Sequence, residues 1–439
     1  MTEIITATLL TAWRNFIRNL HRYRALLLAL ILISMVLTSV LGVVMGMRES
    51  LYDKAGRYFS GNIVALGYNG GIGSRIEDPE QIENAFNALK REGIEIKTLS
   101  RRSTYYEGDS IELFFAGYWT RQRRLVGVEW GLERPVLDGF DFVEGGLPEA
   151  GEEDKVLIST AAARELHISS GDELLISIES RRGRTNTIEL EVAGIYAESS
   201  FFGYTAYLHR RALNRLKERP VDQVDEIGAY LENPTRDQGK AAKLLGEKIE
   251  EDYPSFGVLH TREDYRLASG ADYETRHYGV VTVGAQLEEI NDLLAAVTII
   301  AGAILLMFLG ITAVGVSNTF TMIVWERTRE IGTLRALGMQ RSRAVASFLM
   351  EAAMLGLTGA VPGLFLGIGV LEGTRLWLQF PYNFATTLFF TQGRLFWQLS
   401  LSAGLLIVIL VAGASVLGSL RSALKAGKMH PAEALSTQK

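Results

Sequence analysis

The chain has 439 residues, with 45 Lys and Arg against 50 Asp and Glu for a net charge of −5, and it contains no cysteine. Nearly half of its residues are hydrophobic and its mean hydropathy is +0.12 although 22% are charged, a combination that excludes an ordinary soluble enzyme and implies two different materials in one chain. The lack of cysteine excludes a disulfide framework and thiol chemistry.

Residues 1–24 come first. Ile5, Leu9, Trp13, Phe16 and Leu20 recur at helical spacing, with Arg14, Asn15, Arg18 and Arg22 on other faces. This predicts an amphipathic helix on the cytoplasmic membrane surface, although packing on neighbouring spans fits the same spacing. Charge then vanishes between Arg24 and Arg48, so residues 25–47 are expected to form the first transmembrane helix. The run exceeds the ~20 apolar residues that cross a bilayer. It is also longer than the ~7–15 residue core of a cleavable signal, and no A-x-A site follows, so it is expected to be retained.

Residues 48–287 carry 30 Lys and Arg against 41 Asp and Glu, a net charge of −11. Short strands and helices alternate here. A strand over 62–68 precedes a helix opened by Asp78, Pro79 and Glu80, an acidic first turn with proline at its start. Strands are expected over 94–99, 111–118 and 156–159, and a helix over 161–166. A hairpin through 181–186 joins 173–180 to 187–197. Helix, strand, helix and strand follow near 212–217, 228–231, 237–249 and 257–260. The pattern reads as an α+β domain of about two lobes.

Three further runs, uncharged between Asp292 and Glu326 and between Arg394 and Arg421 and broken only by Glu351 between Arg343 and Glu372, predict transmembrane helices over 288–325, 344–371 and 395–420, with an external loop at 372–394 and a tail at 421–439. Within the loop, Gln379, Pro381, Asn383 and Gln392 interrupt the apolar character, and a fifth crossing would put the basic tail outside. Arg14, Arg18, Arg22 and Arg24 precede the first span; Arg327, Arg329, Arg335, Arg341 and Arg343 follow the second; Arg421, Lys425 and Lys428 follow the fourth. The positive-inside rule places these segments in the cytoplasm and the acidic domain outside, in the periplasm of a diderm bacterium or beyond the membrane of a monoderm. The expected fold class is therefore a membrane protein with four transmembrane α-helices and a large α+β extracytoplasmic domain inserted between the first and second helices.

In the third span, Gly356, Gly359, Gly363 and Gly367 form small-residue repeats that let helices approach closely. A mobile helix–helix interface and packing within one subunit both fit. Glu351 is the one deep charge, and about two turns from Arg343 it is expected to snorkel to the cytoplasmic interface rather than carry protons or ions.

No catalytic residues, metal ligands or cofactor-binding residues are read in the chain. There is no GxxxxGK[ST] loop, no GxSxG and no HExxH, and His21, His167, His209, His260, His277 and His430 lack metal-ligand spacing. The informative segment is 326–343, predicted to form a short cytoplasmic helix. Ile331, Leu334 and Leu337 recur every third residue as an apolar stripe flanked by Arg327, Glu330 and Arg335, with Gly332 and Gly338 permitting close approach and a turn. Such a helix fits a groove on a cytoplasmic partner. The candidate coupling residues are Trp325, Glu326, Arg327, Arg329, Glu330, Ile331, Gly332, Leu334, Arg335, Leu337, Gly338 and Met339.

Arg327-x-x-Glu330-Ile331-Gly332-x-Leu334-Arg335-Ala336-Leu337-Gly338, the glycine-rich third span and Pro431-Ala432-Glu433-Ala434-Leu435 resemble the ABC-transporter permeases of the MacB, FtsX and LolC/LolE superfamily. The resemblance implies that 326–343 is the coupling helix. It also implies a dimer of permease chains, identical or different, with two copies of a separate cytoplasmic ATPase that binds ATP and Mg, this chain binding no cofactor itself. No nucleic acid is implied. ATP-driven closure would move the external domains, which export or extract a hydrophobic or lipidated substrate. Gly46 to Leu51, with the Phe114-Phe115 and Phe201-Phe202 pairs, leans towards lipoprotein release. MacB-like efflux of a drug, peptide or toxin is the alternative, and a signalling or scaffold protein that senses a ligand or activates a cell-wall hydrolase is the alternative of another class.

Overall fold

The computed structural model describes residues 20–68, 74–106, 111–179, 183–197, 204–270, 275–381, 390 and 393–428. The amphipathic helix expected at the start, Phe201, Phe202 and the Pro431 to Leu435 motif lie outside the described residues.

Helix α1 (Leu20–Tyr58) is followed by β1 (Ile63–Tyr68), α2 (Pro79–Arg91), β2 (Ile96–Tyr105), β3 (Ile111–Phe115), β4 (Tyr118–Arg121), β5 (Arg124–Val128) and α3 (Trp130–Leu137). Next come β6 (Phe142–Gly145), β7 (Lys155–Ser159), α4 (Thr160–Leu166), β8 (Glu173–Glu179), β9 (Thr185–Tyr196), β10 (Thr205–His209) and α5 (Arg210–Leu216). They lead to β11 (Glu226–Leu231), α6 (Pro234–Glu250), β12 (Ser255–Leu259), α7 (Arg262–Gly270), β13 (His277–Thr282) and α8 (Val283–Gln286). Helices α9 (Glu288–Glu326), α10 (Thr328–Ala336), α11 (Arg341–Trp377) and α12 (Leu401–Lys428) complete the described chain. Two compact units result: residues 1–46, 295–378 and 397–439, and residues 47–294 and 379–396.

The first unit holds the apolar helices. Four helices, Tyr23–Tyr58, Leu294–Glu326, Arg341–Trp377 and Leu401–Lys428, are long and apolar enough to cross a membrane. Several exceed the expected spans, because charge marks where a helix leaves lipid and does not end it: α1 continues through Arg48, Asp53 and Arg57. The fourth starts later than expected. Residues 395–400 are not helical, and the Ala403 amide bonds the Ser400 hydroxyl at 3.2 Å, so this serine sets the start.

Glycines on α11 seat this unit. A Cβ at Gly359 would lie 2.5 Å from Leu30 Cβ, and one at Gly363 would lie 2.5 Å from the Ile31 carbonyl oxygen. One at Gly367 would lie 2.6 Å from Thr38 Cβ, while Gly356 faces Ala412 and Ser415 of α12. The stripe therefore packs within the chain, on α1 and α12. Polar groups on these helices are satisfied internally, as lipid requires: Ser34 donates to the Ala360 carbonyl at 2.8 Å, and Thr38, Thr312 and Thr358 donate to carbonyls four residues back. Leu30, Phe320, Leu355 and Val411 centre the core.

The second unit is built on one mixed sheet in the order β12-β13-β1-β11-β2-β5-β10-β7-β9-β8-β3-β4, with β6 beside β9. Pairs β5–β10, β7–β9 and β12–β13 are parallel. Ile63, Ala65, Ile227 and Ala229 meet Phe86 of α2 and Leu245 of α6 on one stretch. Ile111, Ile158, Ile176, Val192 and Leu208 form a second core under α4 and α5. The strand expected over 111–118 is in fact two, because Ala116 and Gly117 at φ 47° and 88° turn the chain back. Helix α3 was hidden from sequence reasoning by Pro135 inside it. The sheet ends on β4, four residues long, and on β12, whose pairing shifts register between Ser255 and Gly257.

Buried charge in this unit is paired. Arg102 and Glu133, both wholly buried, meet at 2.7 Å, with the Tyr230 hydroxyl and the Arg57 carbonyl accepting the remaining donors. Lys217 meets Asp225 at 2.5 Å, and Ser103 and the Thr104 amide also donate to that carboxylate.

Candidate coupling site

The segment between the second and third spans is a separate short helix. Helix α9 ends at Glu326, and Arg327, at φ −96° and ψ 12°, leaves helical geometry for one residue before α10 begins. The far end closes on glycine. Gly338 adopts φ 99°, its amide donates to the Arg335 carbonyl at 3.1 Å, and the Met339 amide donates to the Leu334 carbonyl at 3.1 Å. These are the paired bonds of a Schellman cap, and they require a residue that tolerates the left-handed region.

Three contacts hold α10 to the helices of its own unit. Arg327 donates from Nη1 to Glu351 at 3.2 Å and from Nε to Glu330 at 3.1 Å, and its guanidinium lies 5.6 Å from the Phe348 ring centre. Ile331, 5% exposed, enters the core beside Phe320 and Phe348. Arg335 donates to the Gly427 carbonyl at 3.1 Å. Gly332 is buried below the helix.

The expected apolar stripe is thus split. Ile331 is an anchor, whereas Leu334 at 45% and Leu337 at 81% exposure face outward. Threefold spacing on a 100° helix drifts by 60° per step, so three such residues do not share one narrow face. Trp325 is exposed, with the Lys425 ammonium 5.2 Å from its ring centre, and Glu326, Arg329 and Glu330 are exposed around it. Met339 is half-buried.

Glu351 corrects an expectation. It does not snorkel: it is 1% exposed, accepts from the Tyr23 hydroxyl at 2.7 Å and pairs with Arg327. An apolar environment makes an unpaired charge costly, and an arginine four residues before α10's second turn supplies the partner. Sequence reasoning missed Tyr23 and Phe348; the aromatic residue between Arg22 and Arg24 at a span's start was the available signal for Tyr23. The site therefore joins α1, α10 and α11 through one carboxylate. Leu334 and Leu337 leave exposed apolar surface on this anchored helix.

The family described as FtsX-like permease C-terminal matches residues 302–431. The ABC transporter permease YtrF of Bacillus subtilis is 26% identical over 311 residues, covering 69% of this chain and 68% of that protein. The uncharacterized ABC transporter permease MJ1507 of Methanocaldococcus jannaschii is 33% identical over 110 residues, 25% of this chain and 28% of that one. The macrolide export ATP-binding/permease protein MacB of Chromobacterium violaceum is 30% identical over 189 residues, 42% of this chain and 25% of its own. The matched stretch is thus a minor part of the Methanocaldococcus and Chromobacterium proteins and about two thirds of YtrF. With four membrane-length helices, a large domain between the first two and an FtsX-like permease region over residues 302–431, the chain is similar to the ABC-transporter permeases of the MacB/FtsX superfamily.

Proposed function

We propose that this chain is the non-catalytic permease subunit of a mechanically coupled ABC transporter. Two copies of a cytoplasmic ATPase, which bind ATP and Mg, engage α10 in a dimer of permease chains, and their closure is passed to the large domain in the periplasm. The multi-pass chain sits in the bacterial inner membrane with basic segments inside. The observation that carries this reading is the division of labour on α10, where Ile331, Arg327 and Arg335 are fixed inward and Leu334 and Leu337 are presented outward. An anchored helix with an exposed apolar end transmits displacement in a way that a solvated loop does not.

The substrate is a hydrophobic molecule moved outside the membrane core. Macrolide export, the activity in the name of the Chromobacterium relative, favours efflux of an amphiphilic small molecule or peptide. The leaning towards lipoprotein release finds no support among these relatives. The signalling alternative differs in requiring no ATP-dependent movement of substrate.

The test is co-purification with a cytoplasmic ABC ATPase co-expressed with this chain. Leu334→Asp and Leu337→Asp insert normally and lose the ATPase, whereas Ile331→Asp lowers the stability of the permease itself. Retention of the ATPase by both exposed-site variants refutes the docking surface. ATP turnover by the intact complex without movement of a hydrophobic substrate favours the signalling class.

A further inference from the structure

On one side of the sheet, Ile63 and Ala65 of β1 face the α2–α6 core, and alternation turns Val64 and Leu66 to the other side. There the cover is thin. Helix α7 contributes Tyr265, and between it, the end of α1 and α8 a cavity of about 580 Å³ remains. That volume suits a drug-sized molecule. Its walls are of two kinds: Val64, Leu66 and Leu287 are apolar, while Tyr106, Glu226 and Arg123 close the polar end.

The polar end carries one carboxylate whose charge is met inside the fold and one guanidinium on the wall. Glu226, 4% exposed, already accepts from Ser60 at 2.6 Å, Thr104 at 3.1 Å and Tyr106 at 3.2 Å. Behind it Arg124, 1% exposed, lies between the rings of Tyr58 and Tyr106, 4.9 and 4.5 Å from their centres. Its Nη1 donates to the Tyr58 carbonyl and its Nη2 is 3.6 Å from Glu226, but among the described residues Nε and Nη2 have no hydrogen-bond acceptor. Buried donors without acceptors are rare and costly. Arg124 lies behind the wall and offsets the charge of Glu226, whereas Arg123, its guanidinium 5.5 Å from the Tyr204 ring centre, lines the cavity and has no ion-pair partner among the described residues. Tyr106 is 49% exposed, yet burial raises its hydroxyl well above the ordinary value, because its accessible surface is cavity wall.

We propose that this cavity in the α/β unit binds an amphiphile that has an aromatic or aliphatic body and an acceptor-only, anionic head, the body lying on Val64, Leu66 and the tyrosine rings and the head facing Arg123. Its meaning as a substrate-capture site rests on the permease reading above; the binding itself does not.

The experiment uses the full-length chain in nanodiscs and 4-benzoylbenzoate, a photoreactive aromatic ketone with a carboxylate head. Benzophenone supplies the same body without the head. Irradiation is followed by peptide mapping. Expected is saturable labelling of peptides containing Val64 and Leu66, Tyr265 or Leu287, with benzophenone requiring about tenfold higher concentration for lack of the charged head. Gln286→Trp and Ala285→Trp fill the cavity and abolish this labelling for both probes, the first serving if the more buried second site fails to fold. Arg123→Gln removes the charge on the wall and narrows the difference between probes. Labelling that does not saturate, survives both tryptophan variants or ignores the head overturns the proposal. Loss of ATPase co-purification with labelling intact would refute the permease reading alone; normal transport with no labelling would refute this site alone.

Discussion

Replacing Glu351 tests whether α10 is held as a unit. Glu351→Ala leaves the wholly buried Tyr23 hydroxyl and the Arg327 guanidinium without their acceptor. Breaking a buried ion pair costs about 3–5 kcal/mol, and Arg327, with 13% of its side chain exposed and Glu330 and Phe348 still beside it, puts the cost near the lower end. Glu351→Gln keeps an acceptor for Tyr23 and nearly the same volume, so it removes chiefly the charge-assisted bond to Arg327, about 1.5 kcal/mol. Hydrogen–deuterium exchange of peptides spanning residues 327–339, in the full-length chain in nanodiscs, reads the opening of α10 directly. At 1.4 kcal/mol per factor of ten, exchange should accelerate by about tenfold for glutamine and about a hundredfold for alanine. The order Ala, Gln, wild type is as diagnostic as the size. Unchanged exchange in Glu351→Ala would show that Ile331 and Arg335 alone hold the helix, and the ion-pair reasoning would be wrong.

Gly363→Ala forces a methyl group against the Ile31 carbonyl and Ser34, so the thermal midpoint of the detergent-solubilised protein should fall by the equivalent of about 1–3 kcal/mol. Gly369→Ala, two turns nearer the end of α11 with nothing within 4 Å of the added carbon, should be neutral or slightly stabilising; equal effects would contradict the packing. Asp225 gives a pH signature. Burial pushes its carboxyl up, but the Lys217 ammonium and hydrogen bonds from Lys217, Gln223 and the Thr104 amide outweigh that and hold it below the usual range. Its folded value is depressed, so its stabilisation is complete above the unfolded value of about 3.9 and is lost as pH falls through the folded one. Asp225→Asn should therefore flatten the stability profile below about pH 4 while lowering stability at pH 7, as followed by thermal melts; an unaltered acid limb would exclude this pair.

The features legible in the sequence were those carried by contiguous residues. Gaps in charge locate the four membrane helices, because one charge in lipid is costly enough to dominate local preference. Gly338 announces the turn after α10 for the same local reason. What escaped depends on residues far apart. Tyr23 and Glu351 are separated by most of the chain, and neither span's own pattern names the other as its partner. Ile331 and Leu334 look equivalent until the neighbouring helices bury one of them. The polar end of the cavity is a product of register: Glu226 stands opposite Leu66 on one neighbour and Arg102 on the other, and β5 brings Arg124 alongside the end of β2. Single-sequence periodicity contains none of that pairing information.

The two outer strands of the sheet have a consequence for assembly. A long, flat outer strand would offer an unpaired row of amides and carbonyls to any chain beside it. Here β4 has only four residues and ends at Arg121, whose guanidinium lies over the Trp119 ring, while β12 is twisted by the irregular step before Gly257, at φ 65°. Neither border is a good template for a thirteen-strand sheet to grow by another strand. Copies of this domain brought side by side are thereby steered from backbone zipping towards contacts made by side chains.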